Sequence, residues 1–214
     1  MKILIVDDHG IVRNGLSVLF RAEQDMEVVG VAQDGFQAIE SAEKLSPDIV
    51  IMDITMPCLN GVDATRELVA RHPGLKVIVL SVHSERNIVV EVFRAGAAGY
   101  VLKTYLFEEL ARAVRAVAND GHYLSPRITN VVVDELLEFG GSAREPDKPR
   151  LTPMERQVLQ LIAEGNTTKQ IARRLHKSPK TIDARRRRIA EKVGARGVAD
   201  LTRYAIQEGI TSLE

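Results

Sequence analysis

Two rhythms of apolar and polar residues alternate through residues 1–120. One is the short, continuous apolar run, at residues 3–6, 28–32, 49–52, 77–80 and 100–102. β-Branched residues stand side by side in several of these runs, as in parallel strands buried on both faces. The other rhythm is a stripe of apolar residues three or four apart. Val12, Leu16 and Leu19 form one, Ile39, Ala42 and Leu45 another, and Val114 and Val117 a last. Strands alternating with helical stretches predict five βα units, hence a doubly wound α/β domain on a five-stranded parallel sheet. Such sheets bind ligands beyond the carboxyl ends of their strands, where the strand order reverses.

The pattern changes after residue 150. Thr152, Pro153 and Glu155 read as the N-cap, first helical residue and capping-box partner of a helix whose stripe is Val158, Leu159 and Ile162. Gly165 ends it. Thr167 and Gln170 form a second capping box ahead of Ile171, Ala172 and Leu175. After a short turn, Ser178 and Pro179 open a third helix over about residues 179–193, and a fourth follows over about 198–208. The second and third helices predict a helix-turn-helix within a small all-α domain. Between the two patterns lies residues 123–150, read as a linker with a helical start and a Gly/Pro-rich end at 140–149. The expected domains are therefore 1–122 and 151–214.

Charge sharpens the division. Over the 214 residues, 29 basic and 29 acidic side chains cancel. Residues 1–122 carry 12 basic and 17 acidic groups, net −5, whereas residues 151–214 carry 13 and 7, net +6. An acidic half and a basic half suit different partners. A single cysteine, Cys58, excludes an intrachain disulfide and a Cys-rich metal site. No apolar run approaches the ~20 residues that span a bilayer. Asp7 and Asp8 stop the N-terminal apolar run short of a signal-peptide core. The expected setting is the cytoplasm, with no membrane partner.

The chemistry gathers at the strand ends. Asp7 and Asp8 follow the first strand, Asp53 the third, Ser81 the fourth and Lys103 the fifth. Clustered carboxylates repel one another unless a cation sits among them, and an all-oxygen donor set favours Mg²⁺ over zinc. A carboxylate can also be a nucleophile that forms an acyl phosphate. A hydroxyl and an ammonium could then hold the phosphoryl oxygens. One aspartate at a strand end is ordinarily a turn former or helix cap; the whole set at the right ends is harder to dismiss. His9, His83 and His122 show no metal-ligand spacing, and Cys58 reads as an ordinary loop residue.

In the third helix Ile182, Ile189 and Val193 define the buried side. Lys180, Ala184, Arg187, Arg188 and Glu191 fall opposite, Asp183 lies on a flank, and Arg185 and Arg186 border the buried side. The candidate DNA contacts are Lys169, Lys180, Thr181, Ala184, Arg185, Arg187 and Arg188, with Ala184 small enough to meet a thymine methyl. Arg186 is expected to pack its stem and pair with Glu155.

Asp7-Asp8, Asp53, Ser81 and Lys103, with Met56-Pro57, Gly61 and Gly96-Ala97 as supporting details, resemble the receiver domain of two-component response regulators, which is flavodoxin-like. The resemblance implies that Asp53 takes a phosphoryl group from a cognate histidine kinase. It implies Mg²⁺ held by Asp8, Asp53 and the carbonyl of Thr55, with Asp7 acting mainly through water. Ser81 and Lys103 would contact the phosphoryl group, and Tyr100 would turn inward in response. Thr55 and His83 would flank the path of attacking water. Dehalogenase-type phosphohydrolases also use an aspartate after a buried strand, but carry a second carboxylate two residues on as general acid. Thr55 stands there instead, so at most slow self-dephosphorylation is expected rather than an enzyme's turnover.

Residues 151–208 resemble the LuxR-type helix-turn-helix through Leu-Thr-Pro-x-Glu, Gln170-Ile171-Ala172, Lys180-Thr181-Ile182 and Val193-Gly194-Ala195-Arg196. The combination resembles the NarL/FixJ class. Arg185 replaces that class's usual histidine, and Asp183 stands where a cation is common, which bears on the operator sequence. The resemblance implies a phosphorylation-switched regulator that dimerises, through contacts of the fourth helix, to bind double-stranded promoter DNA. RNA polymerase is a further partner it allows. Attraction between the −5 and +6 parts would favour a closed unphosphorylated form. The alternative is a regulator whose output is protein or RNA binding.

Overall fold

The computed structural model describes residues 1–104, 107–139 and 151–211, apart from the side chains of residues 134–139. The chain divides into two compact units, Met1–Ser142 and Ala143–Glu214.

The first unit is a parallel sheet of β1 (Lys2–Val6), β2 (Glu27–Ala32), β3 (Ile49–Asp53), β4 (Lys76–Ser81), β5 (Gly99–Leu102) and β6 (Tyr123–Leu124), in the order β2-β1-β3-β4-β5-β6. Among the described residues its helices are α1 (Gly10–Arg21), α2 (Gly35–Leu45), α3 (Gly61–Arg71), α4 (Arg86–Arg94), α5 (Phe107–Ala118) and α6 (Pro126–Phe139). The continuous apolar runs follow from burial on both faces. Leu4, Val6, Val50 and Met52 enter one core with α2, α3, α4 and α6. Ile3, Ile5, Ile49 and Ile51 enter the other with α1 and α5. Strand order reverses between β1 and β3, the neighbours whose ends carry Asp7, Asp8 and Asp53.

Three expectations need correction. Among the described residues the sheet has six strands, because Tyr123–Leu124 continues it beside β5 in parallel register. Residues 123–139, assigned to the linker from sequence, belong to the first unit. Ile128 is fully buried in the same core as Val89, Val92 and Tyr100, with Leu124, Val131 and Val132 packed against it. The Gly/Pro-rich stretch 140–149 lies outside the described residues. In α1 the stripe ends on Phe20, which is buried and meets Phe107 edge-on at 4.7 Å between ring centroids; Leu19 is turned out.

The second unit holds α7 (Pro153–Ala163), α8 (Thr168–Arg174), α9 (Pro179–Val193) and α10 (Val198–Gln207). Both predicted capping boxes form, at Thr152/Glu155 and Thr167/Gln170, and Ser178 caps α9 by accepting from the Thr181 N–H. Each cap satisfies amide groups that the first helical turn leaves without partners. Gly194, at φ 68°, ends α9 in the left-handed conformation that glycine adopts freely. Val158, Leu159, Ile171, Ile182, Ile189 and Leu201 close the core. Among the described residues no helix is long and apolar enough to cross a membrane.

Ile128→Ala is expected to cost about 2–5 kcal/mol in the first unit's denaturant transition, as for other buried aliphatic truncations. An unchanged midpoint would mean that α6 is not part of this core.

Candidate functional site

Parallel pairing of β1 with β3 brings their carboxyl ends together, so Asp7, Asp8 and Asp53 meet at one edge. One ligand atom from each of these three and from His9 lies within 4.8 Å of the others. Asp7 and Asp53 are buried, at 1% and 5% exposure, which makes uncompensated charge costly. Lys103 supplies the compensation from the end of β5. Its Nζ donates to Asp7 Oδ2 at 2.7 Å and lies 2.9 Å from Asp53 Oδ2. Burial, then repulsion from Asp7 and Asp8, outweighs the ammonium, and the Asp53 carboxyl is pushed up to about 6. Burial opposes the charge on Lys103, but Asp53 and Asp7 more than offset it and raise its pKa.

Asp7 has both oxygens engaged, since Oδ1 also accepts the His9 N–H at 2.8 Å. Asp8 differs. Its Oδ1 is buried and takes no aligned hydrogen bond, although His9 Nδ1 stands 2.7 Å away. That proximity raises the pKa of the exposed imidazole. Three clustered carboxyl groups facing one ammonium, with one Asp8 oxygen lacking a donor, fit a divalent cation that prefers oxygen ligands. His9, which sequence spacing passed over, joins this group; its only signal was adjacency to Asp8.

The loop after β3 is fixed by close packing. The Gly61 N–H donates to Ile54 O at 2.8 Å, and a Cβ on Gly61 would stand 1.9 Å from the Asp53 carbonyl oxygen. Only glycine lets α3 begin this close to Asp53. Asn60 caps α3 through the Asp63 N–H.

At the ends of β4 and β5, Ser81 Oγ accepts the His83 N–H at 3.0 Å, and Lys103 N donates to Ser81 O at 2.7 Å. Thr55 Oγ1 lies 3.4 Å from His83 Nε2, so these two side chains bracket the loop beside Asp53. Tyr100 is fully buried and its hydroxyl donates to His83 O at 2.9 Å, while burial pushes its pKa up. The inward position expected only in response to phosphorylation is thus occupied in this structure.

In the second unit Lys169, Lys180, Ala184, Arg187 and Arg188 are exposed. Two candidates stand apart from them. Thr181 is half-buried, with its hydroxyl 2.8 Å from that of Ser178 in the cap. Arg185 is half-buried too, with Nε sealed from water and without a hydrogen-bond partner. Glu155 pairs with Lys192 at 2.7 Å rather than with Arg186. Arg186 instead lines an open cleft of about 380 Å³ with Asp183, Arg187 and Arg196. Burial opposes the charge on Glu155, yet Lys192 and the Thr152 N–H hold its pKa below the usual carboxylate range.

Comparison with known proteins covers both units. Residues 3–115 match the response regulator receiver domain, and residues 149–205 match the bacterial regulatory proteins of the luxR family. The transcriptional regulatory protein DegU of Brevibacillus brevis is 36% identical, over 97% of this chain and 92% of its own. The oxygen regulatory protein NreC of Staphylococcus carnosus is 36% identical, over 97% and 98%. A solved structure of two RcsB dimers bound to two parallel DNAs aligns with TM-score 0.59 and 26% identity, over 97% of this chain and 98% of that one.

Two predictions follow from the electrostatics. The raised Asp53 carboxyl keeps its proton in the folded state at pH values where the unfolded chain has released it. Stability therefore falls as pH rises from the ordinary carboxyl range through about 6. Metal-free Asp53→Asn should be more stable than wild type above that range, by up to about 3 kcal/mol, with the gain fading toward pH 4. Thermal melts across pH check this, and a gain that grew on acidification would contradict it. Lys192→Met should cost the second unit about 1–3 kcal/mol by removing a charged partner of Glu155, whereas Arg186→Met should cost far less; equal losses would refute the assigned pairing.

Proposed function

Because the chain belongs to the response regulators that join a receiver domain to a LuxR-type helix-turn-helix domain, we propose that phosphorylation of Asp53 governs how its basic domain binds promoter DNA. The observation that carries this reading is Lys103, whose ammonium lies 2.9 Å from Asp53 among three clustered carboxylates.

In the proposed reaction an Asp53 carboxylate oxygen attacks the phosphorus of a phosphohistidine on a cognate histidine kinase. The P–N bond breaks, the imidazole leaves, and an acyl phosphate forms on Asp53. Lys103 can exchange its ion pair with the Asp53 carboxylate for one with a phosphoryl oxygen, while Asp7 keeps it in place. Ser81 supplies a hydroxyl at the neighbouring strand end. Asp8, Asp53 and the Thr55 carbonyl would hold Mg²⁺, with Asp7 behind them. When bound, the ion neutralises carboxylate charge and polarises the phosphoryl group toward attack.

The added charge draws Ser81 and so acts on the loop through His83, whose N–H is bonded to Ser81 and whose carbonyl is bonded to Tyr100. Thr55 and His83 flank the path of attacking water and set the rate of a slow self-hydrolysis. The basic unit enters the major groove through α9, with Lys180, Ala184, Arg187 and Arg188 foremost and Lys169 on the phosphate backbone. Thr181 and Arg185 contribute through the cap and packing of α9 more than by reaching out. Dimers, with α10 at their interface, would place two such helices on paired half-sites, as the RcsB dimers on DNA suggest. The protein works in the cytoplasm, where RNA polymerase is a further partner.

Intact mass after incubation with acetyl phosphate and Mg²⁺ tests the acceptor. One phosphoryl adduct is expected on wild type and none on Asp53→Asn. An adduct on both would place the acceptor elsewhere, and none on either, even from a kinase donor, would refute the phosphorylation reading.

A further inference from the structure

The second unit carries an acidic residue where its chemistry favours none. Asp183 stands in the second turn of α9, exposed, within a helix that also holds Lys180 and four consecutive arginines. Among the described residues it has no ion pair. Its Oδ1 accepts one hydrogen bond, from Thr168 Oγ1 of α8 at 3.0 Å. The hydroxyl fixes the carboxylate's position without neutralising it. Asp183 also borders the open cleft shared with Arg186, Arg187 and Arg196, so space remains on that side.

On a surface meant for phosphates, such a charge weakens attraction to any duplex. It gains only where a donor waits on the DNA. The N-terminal turns of a recognition helix are those that meet base edges, which favours Asp183 over Glu191 farther along. In the major groove two bases present donors, cytosine through N4 and adenine through N6. Adenine sets the N7 acceptor beside its donor, and that acceptor repels the second oxygen of a carboxylate. Cytosine N4 has no such neighbour on its own base.

We propose that Asp183 is a specificity-determining residue that accepts a hydrogen bond from N4 of one cytosine in each half-site, held in position by Thr168. Arg187 lies one turn on along the same flank, about 6 Å by helical rise, and suits a guanine nearby. The proposal rests on the DNA-binding reading and deepens it to one base.

Selection of bound duplexes from a randomised pool tests it, with full-length phosphorylated wild type and Asp183→Asn. Asparagine can still accept from Thr168, so the tether and the fold are kept. Wild type is expected to select cytosine at one position per half-site. Asp183→Asn is expected to shift that position toward adenine, with at least about a fivefold change in the ratio of affinities for the two duplexes. The same preferred base for both proteins would overturn the proposal. So would a uniform rise in affinity of the variant for every duplex, which would mark Asp183 as a charge near phosphates. Wild type that binds without sequence preference overturns the base contact but leaves DNA binding standing. Wild type that binds no duplex overturns both.

Discussion

The ammonium of Lys103 stands between two buried carboxylates, 2.7 Å from Asp7 and 2.9 Å from Asp53, and the carboxyl edge of the sheet is organised around it. Parallel pairing forces Asp7, Asp8 and Asp53 together, and burial makes their repulsion costly. One cation offsets part of that cost. The remainder appears as a carboxyl pushed up to about 6 at Asp53 and an oxygen of Asp8 without an aligned donor. This residual deficit of positive charge suits a site for a cation. A phosphoryl group on Asp53, as proposed, would add negative charge to that deficit. The neighbouring Ser81–His83–Tyr100 hydrogen bonds connect the same edge to the β4–α4 loop.

Much of this was legible in the residues. Strands buried on both faces leave continuous apolar runs, and the first five strands were found within a residue or so of their ends. Helix starts in the second unit were written in local chemistry, since Thr152, Thr167 and Ser178 cap helices through residues three positions on. The features that escaped depend on the tertiary fold. Tyr123–Leu124 is too short to show a strand pattern, and it becomes one only because the edge of β5 accepts it. The helix after it looked like the start of a linker because its apolar face finds its partner in α4 and β5, far back in the chain. Arg186 and Lys192 border the buried stripe of α9 on opposite sides, and a helical projection does not say which one reaches Glu155. Of the candidate site, Asp7, Asp8, Asp53 and Lys103 come together, while the Ser81 hydroxyl is engaged by the His83 N–H. Tyr100 is already inward, and His9 joined the group without any spacing signal.

The two units divide the labour by charge. Met1–Ser142 carries 13 basic and 20 acidic side chains, net −7, and Ala143–Glu214 carries 16 and 9, net +7. The first gathers three of its carboxylates, Asp7, Asp8 and Asp53, at the site where a phosphoryl group would be received. The second spreads its basicity over α8 and α9, whose caps and core keep the arginine-rich surface rigid. Helix α6 packs Ile128 into the first core beside Val89, Val92 and Tyr100, so it shares that core with β5 and α4.

In the proposed switch the state of Asp53 sets DNA affinity. Its most direct test is the dissociation constant for a selected duplex at fixed salt, with and without phosphorylation, for wild type and Asp53→Asn. Phosphorylation of wild type is expected to tighten binding, with no response in the variant. Equal affinity in both states of wild type, with full phosphorylation verified by mass, would contradict it.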